Sequence, residues 1–245
     1  MPQVPLHAVE ARGVAKKIGK REVLRGFSIS VERGSVHVLA GPNGAGKTTA
    51  IRIIMGLVRR DAGELRVLGA DPESEEWGEV KLRIGYLPEE AQPYERLTGE
   101  EHVRLFASLY GRDEEEAIRR AAEISGLGEA MRARTATYSK GMKRRLMLAL
   151  SLMHDPELAI LDEPTGGLDV VSSYRIREVI RLMSSRGTTF LITTHDLQEA
   201  QQMANRVTFI SKGLTVAEGK VEEVLRAYGA RTLEEAYVRA VGFEE

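Results

Sequence analysis

Eight consecutive residues, Gly41-Pro42-Asn43-Gly44-Ala45-Gly46-Lys47-Thr48, follow the spacing G-x-x-x-x-G-K-[ST]. In that pattern successive backbone N–H groups and the positive end of the following helix surround a phosphate. Glycine lets the backbone approach the ligand. Lys47 would neutralise the β- and γ-phosphates as a point charge, the Thr48 hydroxyl would take a position on Mg²⁺, and Thr49 belongs to the same nucleotide-binding run. A second patch, Leu158-Ala159-Ile160-Leu161-Asp162-Glu163, is an apolar run that ends in two carboxylates. Asp162 would hold Mg²⁺ through water, and Glu163 is placed to polarise the water that attacks the γ-phosphate. Two acids after a strand are by themselves an ordinary solvated loop, but in a chain that also carries a phosphate loop they read as the other half of a nucleotide hydrolase.

These residues need strands and a helix to hold them. Val36–Ala40 reads as a buried strand leading into the glycine loop, and Ile51, Ile54, Met55 and Leu57 continue from the loop with helical periodicity. Arg21–Arg33 alternates Val23, Phe27, Ile29 and Val31 with polar or small residues, the pattern of a half-buried antiparallel strand. Short apolar runs at Ile84–Leu87, Leu158–Leu161, Thr188–Thr193 and Arg206–Ile210 alternate with helical stretches and predict a largely parallel sheet. Between Glu100 and Met153 the chain reads as wholly helical. The expected fold is α/β: a P-loop NTPase core, an N-terminal antiparallel β subdomain and an inserted all-helical subdomain. The expected division is a core of 1–88 and 154–220, a helical subdomain of 89–153 and a C-terminal helical tail of 221–245, all in one domain.

Composition fits that body. The chain has 245 residues, 42% of them hydrophobic and 29% charged, which is long and apolar enough for a sizeable core and excludes disorder as its main state. With Lys plus Arg at 35 and Asp plus Glu at 36, no global field draws it to nucleic acid or an anionic bilayer. Zero cysteines exclude disulfides, thiolate metal sites and a cysteine nucleophile. The N-terminus Met-Pro-Gln-Val-Pro-Leu-His carries no signal-peptide pattern, and the longest apolar run, near Leu146–Met153, is too short to span a membrane.

From about Leu6 to Gly242 the sequence resembles the ATP-binding cassette (ABC) ATPases. Tyr138-Ser139-Lys140-Gly141-Met142 stands where that family keeps its signature motif, with Ser139 and Gly141 matching and Tyr138, Lys140 and Met142 departing. Read physically, Ser139 caps the helix holding Met147, Leu150 and Met153, so a hydroxyl and free N–H groups face outward at an electropositive end. The resemblance implies that this end meets the γ-phosphate of ATP bound to a second subunit. Lys140 opposes the helix dipole, and a phosphate opposite would relieve it. Gly166-Gly167-Leu168-Asp169 is similar to the family's D-loop, and His195 to its switch histidine, which would bond the γ-phosphate and hold Glu163 in line. His7, His37, His102 and His154 read as structural. Two positions depart further. Glu89, after Ile84-Gly85-Tyr86-Leu87-Pro88, replaces a common glutamine and could ligate Mg²⁺ or the attacking water. Ile18 replaces an aromatic that stacks on adenine.

What the resemblance implies is an ATPase with ATP and Mg²⁺ as cofactors. It would work as a dimer with a second ABC ATPase subunit, a homodimer in the simplest case, and with separate transmembrane permease subunits. It would lie cytoplasmic and peripheral on the inner face of the membrane, with no nucleic-acid partner. The signature, the Leu-Pro-Glu-Glu run and the tail Thr232–Tyr237 look like the branch exporting drugs, antibiotics and polysaccharides. The alternatives are a soluble ABC ATPase without transport, for example of the iron–sulfur assembly type, and a nucleotide switch without turnover.

Overall fold

The computed structural model describes residues 6–242. The N-terminal residues 1–5, part of the stretch read above as lacking a signal pattern, lie outside the described residues. So do 243–245 at the end of the expected tail. The chain divides into two compact units, one running to Lys81 and resuming at Thr189, the other Leu82–Thr188.

The first unit begins with β1 (His7–Ile18) and β2 (Arg21–Glu32), paired antiparallel. Alternation in β2 buries Phe27, Ile29 and Val31, while a register shift between Arg25 and Phe27 changes the phase, so that Leu24 is buried and Val23 only half-buried. A bulge interrupts β1, where the register shifts between Ala11 and Val14 and the Gly13 N–H donates to Ser28 Oγ at 3.0 Å. This is why β1 carries no clean alternation. Next come β3 (Val36–Ala40), with all five residues buried, α1 (Lys47–Ile54), β4 (Ala62–Val67) and α2 (Trp77–Lys81). β4 pairs antiparallel with β1 and completes a three-stranded sheet ordered β2-β1-β4.

The second unit opens with β5 (Ile84–Leu87) and continues through α3 (Gly99–Leu109), α4 (Glu114–Ser125), α5 (Lys140–Leu152), β6 (Leu158–Asp162) and α6 (Val170–Ser185). β5 and β6 pair in parallel. Thr98 starts α3 with a reciprocal cap against Glu101, and Asp113 caps α4. The three helices close over Val103, Ala121, Met131, Tyr138, Leu146 and Leu150. Leu146 and Leu150 are at most 1% exposed, so truncating either to alanine costs about 2–5 kcal/mol. The stretch read as wholly helical is helical only in part. From Gly126 to Ser139 it holds two 3₁₀ turns, Gly128–Arg132 and Thr135–Thr137. Gly126, left-handed at φ 58°, ends α4, Gly128 at φ 53° opens the first 3₁₀ turn, and Thr135 N donates to Leu97 O rather than into a helix.

The first unit resumes with β7 (Thr189–Thr194), α7 (Leu197–Met203), β8 (Arg206–Ser211), β9 (Leu214–Lys220), α8 (Val221–Ala227) and α9 (Leu233–Val241). β3 lies between β7 and β8, parallel to both, and β9 turns back antiparallel on β8. The central strands are continuous buried runs, as parallel strands covered on both faces must be. Thr215 joins the two sheets of this unit, its Oγ1 donating to Ser28 O at 2.6 Å and accepting from Ser28 N at 3.1 Å.

Candidate nucleotide site

In the first unit, β3 ends at Ala40 and the chain leaves its C-terminal edge as the loop Gly41–Gly46, which turns into α1. The loop's two framing glycines are required by contact. A Cβ on Gly41 would run into the Ile210 carbonyl oxygen, and one on Gly46, whose φ is 113°, would sit 2.8 Å from Leu24 Cδ2. Gly46 caps α1 without any side-chain acceptor, which leaves the cap position to backbone alone. First-turn N–H groups have no partner inside their helix and carry the positive end of its dipole, so this end suits an anion. Lys47 is 6% exposed, and its Nζ lies across the loop, donating to Gly41 O at 2.7 Å and Pro42 O at 3.3 Å. The Gly213 N–H, in the turn between β8 and β9, donates to Ala45 O at 2.9 Å and braces the loop from outside. Pro42, Asn43 and Gly44 are exposed at its tip, and Thr48 and Thr49 are half-buried in the first helical turn.

His195 follows the last residue of β7. Ala40 pairs with Thr194, and Gly41 N donates to Thr194 O at 3.3 Å. The histidine therefore sits at the end of the strand next to the one that feeds the phosphate loop, exposed. Asp196 beside it caps α7 by accepting from Glu199 N. Ile18, at the end of β1 opposite Arg21, is 55% exposed.

The other predicted residues belong to the second unit. Asp162 ends β6 at 1% exposure, and Glu163 follows at 7% with φ 47°, a left-handed conformation that costs a non-glycine residue about 1 kcal/mol or more. Such an outlier persists only where the surroundings impose it. Here they include a residue the motif reading missed. Arg144, 8% exposed, donates from Nε to Pro164 O, from Nη2 to Asp162 O and Glu163 O, and from Nη1 to Pro88 O and Glu89 O, at 2.8–3.1 Å. Burial pushes its pKa down to about 10, against the pull of Asp162, Glu89 and Glu163. A signal existed in the sequence, since Arg144 stands three residues after Gly141 and four before Leu148, on a face of α5 that is otherwise small or apolar.

Ser139 caps α5, its Oγ accepting from Met142 N at 3.2 Å, and is exposed. Lys140 reaches away from the helix end, donating to Gly167 O at 2.9 Å, so a D-loop carbonyl takes the charge that opposes the dipole. Gly141 is buried against the start of α6, where a Cβ would land on Ser172 Oγ. Asp169 caps α6, accepting from Ser172 N and from Ser172 Oγ at 2.7 Å. Those two bonds hold its carboxyl below the usual carboxylate range. Glu89, two residues beyond β5, is exposed, and its carbonyl is one of Arg144's acceptors. The predicted residues thus form two sets: the phosphate loop, Ile18 and His195 in one unit, and Glu89, Ser139, Gly141, Asp162, Glu163 and Asp169 in the other.

Residues 24–166 match the ABC transporter family. The chain is 40% identical over 220 residues to the daunorubicin resistance ATP-binding protein DrrA3 of Streptomyces coeruleorubidus, covering 89% of this chain and 69% of that one. It is 36% identical over 228 residues to the linearmycin resistance ATP-binding protein LnrL of Bacillus subtilis, covering 92% and 73%. A solved structure of the ATP-binding subunit of an ABC transporter superposes with a TM-score of 0.85 at 30% identity, covering 96% of this chain and all of that one.

Proposed function

The chain belongs to the ABC transporter family as one of its ATP-hydrolysing cassettes, and from that premise we propose that it drives export through separate membrane-spanning subunits. The observation that carries this reading is the phosphate loop itself: a helix capped by a bare glycine, with the Lys47 ammonium held across the loop carbonyls. The loop amides bind the triphosphate of ATP, and Lys47 balances its charge. Thr48 and Asp162, the latter through water, are the residues that would hold Mg²⁺, and Glu89 could join them. A metal shared with phosphates needs only one or two protein ligands, and among the described residues there is no cluster of three or more His, Asp or Glu side chains that would form a dedicated cage. Mg²⁺ supplies neutralisation of the charge that develops on the phosphates.

Glu163 accepts a proton from the attacking water, and His195 contacts the γ-phosphate. Ser139 of a second copy completes the enclosure with its hydroxyl and helix end, so that ATP joins two protomers and hydrolysis releases them. No helix among the described residues is long and apolar enough to cross a membrane; in this proposal the cargo passes through the separate membrane-spanning subunits. The relatives' names, resistance to daunorubicin and to linearmycin, favour a drug or antibiotic as that cargo.

Glu163→Gln tests the cycle. Removing the general base slows phosphate release about 10²–10⁴-fold while ATP still binds, so with ATP and Mg²⁺ the variant elutes from a sizing column as a dimer. Elution as monomer only, with nucleotide bound, would refute the shared-site reading.

A further inference from the structure

We infer that Arg144 is a positioning residue for hydrolysis, fixing in one fork the backbone that presents Glu163 and Glu89 and tying both to the helix that Ser139 caps. This rests on the nucleotide-hydrolysing reading above. The guanidinium makes five contacts, and every acceptor is a main-chain carbonyl: Asp162 at the end of one strand with Glu163 and Pro164 just past it, Pro88 and Glu89 just past the neighbouring strand. A cation this buried is tolerated where all its donors are met, and here all five N–H groups of the fork face carbonyls.

What the fork grips is backbone that would otherwise relax. Glu163 is the left-handed residue at φ 47°, and its carbonyl is held from two sides, by Arg144 Nη2 at 2.9 Å and by Gly166 N at 3.1 Å. The direction of a side chain follows from its backbone, so fixing the carbonyls on both sides of Glu163 fixes where its carboxylate points. The same guanidinium reaches Glu89 O at 3.1 Å. Arg144 lies five residues after Ser139 on α5. A displacement felt by Ser139 when a γ-phosphate docks therefore reaches the base and the Glu89 loop through one side chain. Lysine cannot stand in: its donors radiate from one point and cannot span carbonyls of two separate segments.

The test compares Arg144→Lys and Arg144→Gln with Arg145→Gln, which removes the neighbouring arginine's bonds to Ser125 O and Gly126 O. In the Lys variant we expect kcat for ATP to fall at least tenfold, with KM within twofold of the parent. Hydrogen exchange of the nucleotide-free chain should quicken in peptides spanning 84–91 and 158–168 and nowhere else. Arg145→Gln should keep the parent kcat. If Arg144→Gln does not fold, the Lys variant decides alone. Parent-like kcat and exchange in Arg144→Lys would overturn the inference, as would an equal loss in Arg145→Gln or a rise in KM with kcat unchanged. Should the parent chain release no phosphate at all, the function reading fails, and the exchange comparison by itself still upholds or overturns the grip.

Discussion

Gly141→Ala places one methyl group where the start of α5 meets the start of α6, and its cost can be worked from the contacts. The new Cβ lands on Ser172 Oγ, 3.0 Å from Ser172 Cβ and 3.6 Å from Asp169 Oδ2. Ser172 cannot swing aside freely, because its hydroxyl is donating to Asp169 at 2.7 Å. Relief therefore needs either loss of that bond, about 0.5–1.5 kcal/mol, or separation of the two helix starts, an overpacking strain of about 1–3 kcal/mol. Alanine returns up to about 1 kcal/mol of helix propensity. The net is a destabilisation of up to about 2 kcal/mol, and in a chain of this size each kcal/mol moves the midpoint by about 2–4 °C. Calorimetry should show Tm lower by up to about 8 °C. The decisive measurement is the double-mutant cycle with Ser172→Ala, which removes the oxygen that the methyl strikes. The pair should be more stable than the sum of the single changes by about 1 kcal/mol, whereas independent sites add to within about 0.5 kcal/mol. Additivity, or a raised Tm in Gly141→Ala alone, would show that the glycine is not there to admit Ser172.

Two further outcomes are expected. Ile18 is 55% exposed, and in the proposed site it replaces the aromatic that would stack on the base. With about 1 kcal/mol of stacking missing, GTP should be hydrolysed nearly as well as ATP, and Ile18→Tyr should move the ratio of kcat/KM values about fivefold toward ATP; a parent preference for ATP of a hundredfold would refute this. Stability should also depend on acid. Burial, with Arg206 adding to it, pushes His37 down to about 3, and burial pushes His154, stacked on Tyr110, down to about 4. Both are neutral in the folded chain and gain protons near pH 6.5 when unfolded, so the unfolded state binds more protons between those values. Unfolding free energy is then level above pH 7 and falls as pH drops below 6.5, by up to about 1.4 kcal/mol per pH unit for each histidine. A thermal midpoint that is constant from pH 7 to pH 5 would contradict this assignment.

The features legible in the sequence are those whose cause is local. A glycine loop between a buried strand and a helix, an apolar strand ending in Asp162 and Glu163, and a serine before an amphipathic helix each depend on neighbours within a few residues, so their types and spacing are enough to find them. The order of strands and helices follows for the same reason. Where the local pattern is interrupted, the reading lapses: the bulge near Gly13 breaks the alternation of β1, and left-handed glycines at 126 and 128 divide a stretch that composition alone makes look helical.

Tertiary structure decides what depends on distant segments meeting. Gly141 must lack a side chain because Ser172 occupies its space, and Lys140 is balanced by a carbonyl of the D-loop. Arg144 looks from its helix like one more cation in a basic run, and becomes a clamp only when the chain brings residues 88–89 and 162–164 to the same guanidinium. Main-chain carbonyls are identical in every residue, so no letter in the sequence announces which of them a buried arginine will find.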